Sequence, residues 1–413
     1  MKRLIGVAIF ISIIGGALVY QFLIKGTSSS AVTIKGLVSG DKVQFLENKK
    51  VKDILRKKYG IIIEYTKADS MDAMKDADPD DASFLWPSSQ VTLEALKQKQ
   101  PAKIIKSDIV FSSPLVFYSW DVVVDALVKQ KIVTKRGSVY YISDFKKLIN
   151  LIVKGDSWKS IGLKDLFGKI TIMSTNPSVS DSGAMFSGLM ATVLKGDVVS
   201  DKSLVEVLPA IKDYFQRVGQ MERSTSDLFK QYLQTGVGAK PIIVGYENQI
   251  IEFSLNNKEK WPLIEKKVRV LYPSPTMWSS HSIIIIDENA KSLLAALKDK
   301  KIQQIAWKSH GFRIGLIGIQ KNPISLNIKG IPNGITKVVS LPSYSVMNKI
   351  IISLQGKKQT YDDIKNDLQD IDENKKIKEP KIRVRKVEPK RSSRKVESKS
   401  SSGSSSSSSS GGW

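Results

Sequence analysis

"IMSTNPSVSDSGAMFSGLMATVL", residues 172–194, changes character twice within 23 positions. β-branched and apolar residues open it, a polar run follows, and from Gly183 the apolar positions recur at helical spacing. A strand handing over to a helix through Ser180, Asp181, Ser182 and Gly183 exposes a helix N-terminus. Its first amides lack intrahelical partners, and its dipole favours negative charge. Hydroxyls and a glycine there can receive an oxyanion or carboxylate. Asp181 is the exception, since it would repel an anion and suits a cation or a hydroxyl instead. The plain alternative is that Ser180 or Asp181 only caps the helix.

The same grammar recurs outward from this stretch. "LWPSSQ", residues 85–90, is a strand end, a break at Pro87 and a Ser-Ser helix start, with Trp86 as a flat apolar wall. "SGD", residues 39–41, follows the first strand and offers Ser39 and Gly40. "VGYENQ", residues 244–249, opens a buried strand into Tyr246, Glu247 and Asn248. In open α/β sheets ligands bind beyond the carboxyl ends of strands, which is where all four stretches fall. Taken singly, each also reads as an ordinary capped helix.

Between them strands and helices alternate. "AVTIKGLVSG" reads as a strand, "DKVQFLENKKVKDILRKKYG" as one helix stopped by Gly60, and "IIIEYTKA" as a strand. "KIIKSDIVF", "PLVFYSW", "KITIMST", "PIIVGYE", "VRVLYPSP" and "HSIIIID" continue the pattern. The expectation is α/β layers with largely parallel sheets.

The bulk numbers place this body. At 413 residues the chain exceeds one small core and suggests two lobes plus extras. It has no cysteine, which excludes disulfides, thiolate metal ligands, a Cys nucleophile and a lipidated Cys. "LIGVAIFISIIGGALVYQFLI", residues 4–24, carries no charge and follows Lys2 and Arg3. That length spans a bilayer, and the basic flank orients the remainder outside the cytoplasm. An uncleaved anchor is the favoured reading over a cleaved signal peptide, because no small-x-small cleavage site follows closely. Net charge is +24, of which residues 375–399 supply +9. That tail and the serine run after it cannot bury enough apolar surface to order, so disorder is expected from about residue 372. A basic tail suits anionic wall polymer, lipid headgroups or nucleic acid.

Catalytic signals are thin. His281 and His310 lack metal-ligand spacing, and no G-x-S-x-G turn, Walker loop or G-x-G-x-x-G fingerprint is present. No enzymatic activity, cofactor or metal is expected.

The ordered set "SGDKVQFLENKKVKDILRKKYGIIIEYTKA", "LWPSSQ", "STNPSVSDSGAMFSGLMATVL", "VGYENQII", "YPSPTMWSSHSIIIID" and "IQQIAWKSHGFR" resembles bacterial extracellular solute-binding proteins of the type II periplasmic-binding fold. The likeness spans about residues 32–345. It implies a two-lobed α/β clamshell, with residues 32–118 and 272–354 in one lobe and 119–271 in the other. Residues 1–31 would be stub, anchor and linker, and 355–413 the tail. By the same resemblance Ser39, Gly40, Ser88 and Ser89 line one lobe, and Ser180, Ser182, Gly183, Tyr246, Glu247 and Asn248 the other. The implied partners are a small solute or ion, the membrane and an ABC transporter permease. The anchor in place of a lipidated cysteine, and the basic tail, depart from the family and suit a sensor or surface-assembly role as well. The rival reading is therefore a surface interaction protein that reuses the fold and works through its tail.

Overall fold

The computed structural model describes residues 31–68, 74, 76–78, 80–315, 326 and 328–355. The anchor expected at residues 4–24 and, Gln355 apart, the tail expected at residues 355–413 lie outside the described residues. Among the described residues no helix is long and apolar enough to cross a membrane.

Among the described residues nine strands form one mixed sheet. They are β1 (Val32–Val38), β2 (Ile61–Lys67), β3 (Phe84–Trp86), β4 (Lys106–Trp120), β5 (Val133–Arg136), β6 (Val139–Ile142), β7 (Ile242–Tyr246), β8 (Val268–Pro273) and β9 (Trp278–Ile285). Their order is β2-β1-β3-β9-β4-β8-β6-β5, with β7 also on β4. β3 and β7 are buried at every position, so they read as unbroken apolar runs rather than alternating ones.

β4 organises the molecule. Its first part, Lys106 to Pro114, pairs with β9, and its second part, from Leu115, pairs with β7 and β8. One 15-residue strand thus belongs to two sheet halves. The sequence pattern suggested two strands here, "KIIKSDIVF" and "PLVFYSW". Pro114 does not break the strand, because Leu115 N takes over the pairing by donating to Met277 O at 2.9 Å.

Three further expectations are corrected. The sheet is mixed rather than largely parallel: β4 runs antiparallel to β7, β8 and β9, as β3 does to β9 and β5 to β6. A strand shared by two halves must meet returning strands, which arrive in the opposite direction. "KITIMST" forms no strand and meets β7 only at the bridge Met173–Ile243. The stretch 40–59 is not one helix. A short turn of helix, Val43–Glu47, stops at Asn48, whose side chain accepts from Lys50 N (3.0 Å) and caps a new helix, α1 (Lys49–Tyr59). Gly60 ends α1 at φ 63°, as its position implied.

The helices that bear on the site are α2 (Gln90–Lys99), α3 (Asp181–Lys195), α4 (Thr225–Thr235), α5 (Glu247–Asn256), α6 (Lys300–His310) and α7 (Tyr344–Ser353). α3 is buried on all sides from Asp181 to Val193, which explains its lack of a polar face. α7 packs against α2, against α3 and against the helix Leu204–Val218. It therefore touches both halves.

Candidate functional site

The site grows from two helix starts that face each other. On the first half, β3 ends at Trp86 and Ser89 caps α2 by accepting from Val91 N at 3.2 Å. On the second half, α3 begins at Asp181. The Asp181 carboxylate crosses into the N-terminus of α2. Its Oδ2 accepts from Ser88 N (2.9 Å) and Ser89 N (3.1 Å). Its Oδ1 accepts from Ser89 Oγ (3.0 Å) and Thr92 Oγ1 (3.2 Å). The Ser88 and Ser89 groups belong to a helix start that the sequence marks as an anion seat, and Thr92 adds to it. The anion in the seat is the chain's own.

Beside this seat lies a second charged group, Lys42, which is fully buried. Its ammonium donates to Asp41 Oδ1 (2.8 Å) and Ser39 Oγ (2.9 Å). Ser39 Oγ and Ser88 Oγ also reach Asp41 Oδ1, at 2.7 and 3.0 Å. Asp41 Oδ2 accepts no hydrogen bond. It sits 3.3 Å from Nδ1 of His281, which is wholly buried in β9.

Electrostatics follow from burial and neighbours. Burial alone would push Asp41 up, but Lys42, His281 and the bonds from Lys42 and Ser39 hold it at about 2. Burial pushes Lys42 down, opposed by Asp41 and Asp181. Burial and Lys42 push His281 down to about 3, so its ring is neutral at pH 7. Burial raises Asp181 against the pull of Ser89, Lys42, Thr92 and Ser88. Lys42 faces the carboxylates of both Asp41 and Asp181, and among the described residues no group of three or more His, Asp or Glu could hold a metal.

A cavity of about 30 Å³ lies against this network. The first half contributes Ser39, Gly40, Asp41, Ser88 and Thr92, and the second contributes Ser180, Asp181 and Ser224 to Ser226. That volume holds about one or two waters. A roomier cavity of about 280 Å³, edged by Lys135, Tyr140, Trp261, Arg269 and Lys329, contains none of the predicted residues.

Of the eleven predicted residues, Ser39, Gly40, Ser88 and Ser180 line the small cavity, and Ser89 lies in the seat. The others do not line it. Trp86 is no ligand wall. It is buried against Phe45 and Phe111, ring centroids 6.0 and 5.4 Å away, and its Nε1 donates to His281 O at 3.3 Å. Ser182 Oγ bonds to Thr175 Oγ1 (2.8 Å) and Thr225 Oγ1 (2.6 Å), one hydroxyl behind the surface. Tyr246 is buried with its ring 5.9 Å from His281. Glu247 is fully buried in a two-pronged pair with Arg313, Oε1 to Nε at 2.6 Å and Oε2 to Nη2 at 2.9 Å, and it also accepts from Tyr272 OH at 2.6 Å. Asn248 N donates to Ser113 Oγ at 3.2 Å.

Gly183 serves packing. A Cβ there would stand 2.3 Å from Thr175 O, a backbone atom that has no rotamer to change. Gly183→Ala is expected to lower stability by roughly 1–3 kcal/mol through overpacking. A denaturant midpoint equal to wild type would refute this.

Sequence reading missed Asp41 as a site group, Lys42, Thr92 and Ser224 to Ser226. "RSTSD", residues 223–227, has the hydroxyl-rich helix-start grammar and was the available signal. Lys42 carried none, because a lysine beside an aspartate near a helix reads as solvated.

No family profile and no curated protein matches the chain. Among solved structures it is similar to proteins that bind small solutes. One is the apo ferric ion-binding protein A of Pasteurella haemolytica, at 12% identity and TM-score 0.49, covering 83% of this chain and 98% of that one. Another is the sulfate-binding protein SubI of Mycobacterium tuberculosis H37Rv, at 13% and 0.47, covering 79% and 96%. A third is maltose-bound MalE3 of T. maritima, at 15% and 0.49, covering 83% and 100%. At these TM-scores the functional reading rests on the chain's own geometry.

Proposed function

We propose that the chain is an extracytoplasmic solute-binding protein, held to the membrane by residues 4–24, that captures a small polar solute between two lobes. The observation that carries this reading is the carboxylate of one half lodged in the helix N-terminus of the other. It supports a cleft whose one side is built to clasp an anionic group with amides and hydroxyls. β4, shared between the halves, and the return from β8 to β9 would be the hinge. The lobes would run 32–118 with 272–354, and 119–271. A permease that accepts the solute is the partner this role implies. The chemistry is capture and release, with no bond made or broken.

The experiment is a solute screen on the full-length chain in detergent. A solute bound only by the folded form raises the melting temperature. Inorganic anions, carboxylates, sugars, amino acids and metal salts form the panel. Ser88→Ala is expected to weaken binding of any hit about tenfold, the worth of one hydrogen bond to a charged group. Unchanged affinity in Ser88→Ala would move the site elsewhere.

The filled seat also favours a second reading, a surface interaction protein that keeps the fold and contacts anionic polymer through its basic tail. A panel with no hit, together with retention of the chain on anionic wall polymer that is lost on deleting residues 375–399, is its expected signature.

A further inference from the structure

Asp181 does not cap its own helix. A helix-capping aspartate accepts from amides two or three residues ahead in its own chain. Asp181 instead takes all four of its bonds from Ser88, Ser89 and Thr92, about ninety residues away on the opposite half. The side chain is buried, and its own helix start has no side-chain cap bond at all. Two amides and two hydroxyls around one carboxylate is how a protein holds a bound carboxylate solute. Asp41 lines the same cavity, with Ser39, Lys42 and Ser88 on its Oδ1 and His281 Nδ1 3.3 Å from its Oδ2.

We propose that Asp181 is a tethered carboxylate that holds the two halves together and competes with a solute's carboxylate for the start of α2. The inference rests on the two-lobed reading above and adds its regulation. A group fixed to the chain has an effective concentration of order millimolar or more, so a free carboxylate must outbid it. The apparent affinity for that carboxylate falls by the fraction of molecules in which Asp181 has left the seat. The Asp181 seat therefore sets a threshold. Weakly binding carboxylates are refused, and only a solute with further contacts in the cleft displaces Asp181.

The test is chemical rescue. Asp181→Ala removes the carboxylate and leaves a space that formate restores. Spin labels are placed at Lys99→Cys on α2 and Lys230→Cys on α4, both exposed positions in a chain with no native cysteine. In full-length wild type the label distance is expected to be short, single and indifferent to formate. In Asp181→Ala it is expected to lengthen or broaden. Formate, but not chloride at equal ionic strength, is expected to restore it with half-effect below about 100 mM, and at least about tenfold more effectively than it acts on wild type. Ser89→Ala added to Asp181→Ala should abolish the rescue. A label distance in Asp181→Ala equal to wild type and unmoved by formate would overturn the proposal. If Asp181→Ala fails to fold, Asp181→Asn, of the same shape but uncharged, replaces it: a lengthened distance supports the latch, and a wild-type distance overturns it. Failure of the solute reading is separable. Formate rescue without any hit in the solute panel keeps the latch and removes solute capture; a panel hit without formate rescue does the reverse.

Discussion

Glu247→Ala should destabilise the fold by about 3–5 kcal/mol, the cost of leaving a buried charge without its partner. Arg313 spans three elements. Its backbone bonds to Ser112 of β4 in both directions, its Nη2 also donates to Pro332 O at 2.7 Å, and its guanidinium grips Glu247 at the start of α5. Without the carboxylate that guanidinium keeps its desolvation cost and loses its compensation. The double replacement Glu247→Leu with Arg313→Met should recover most of the loss, since apolar groups of similar volume remove both charges. Denaturant midpoints of the two singles and the double measure it. An additive double mutant would show that the pair is not the cause. If Glu247 instead contacted solute, its replacement would cost affinity with little loss of stability.

Acid should weaken the protein well before its ordinary carboxylates titrate. His281 is held down to about 3 in the fold, against about 6.5 in the unfolded chain. Below pH 6.5 the unfolded chain takes a proton that the folded one refuses. The stabilisation is therefore complete above pH 6.5 and drains away as pH falls toward 3. The slope is about 1.4 kcal/mol per pH unit, or roughly 2–3 kcal/mol between pH 6.5 and 4.5. Asp41, held at about 2, adds a loss of the same sign, but only below pH 3.8. Asp181, raised by burial, works in the opposite direction near its own range. His281→Gln should flatten the profile between pH 6.5 and 4.5 while His310 remains in place. A mutant profile as steep as wild type would assign the acid sensitivity elsewhere.

How much of this was legible depended on distance along the chain. Ser89 as a helix cap, Gly60 as a helix stop and the hydroxyls at strand ends are local chemistry, and local chemistry is written in adjacent residues. Asn48 was missed, although an asparagine inside an otherwise periodic run is a good N-cap. Ser39, Ser88 and Ser180 line one cavity, but Ser180 follows a stretch that forms no strand, so the rule that strand ends gather accounts for the first two alone. What could not be read was which group answers which. Nothing near Asp181 says that its carboxylate will bond to Ser88 and Ser89, and nothing near Glu247 names Arg313. Trp86 and Tyr246 have the composition of a ligand wall and of a core alike, and only the packing of Phe45, Phe111 and His281 around them decides. "KITIMST" has strand chemistry but too little edge to pair with, a tertiary outcome that overrides propensity.

The position of α7 has a mechanical consequence. A helix seated on α2 and α3 together acts as a clasp across the seam. Spreading the seam would strip α7 from one face or drag it along. Either way the motion would reach Leu354 at the end of α7, so that movement of the seam and movement of this helix are one event.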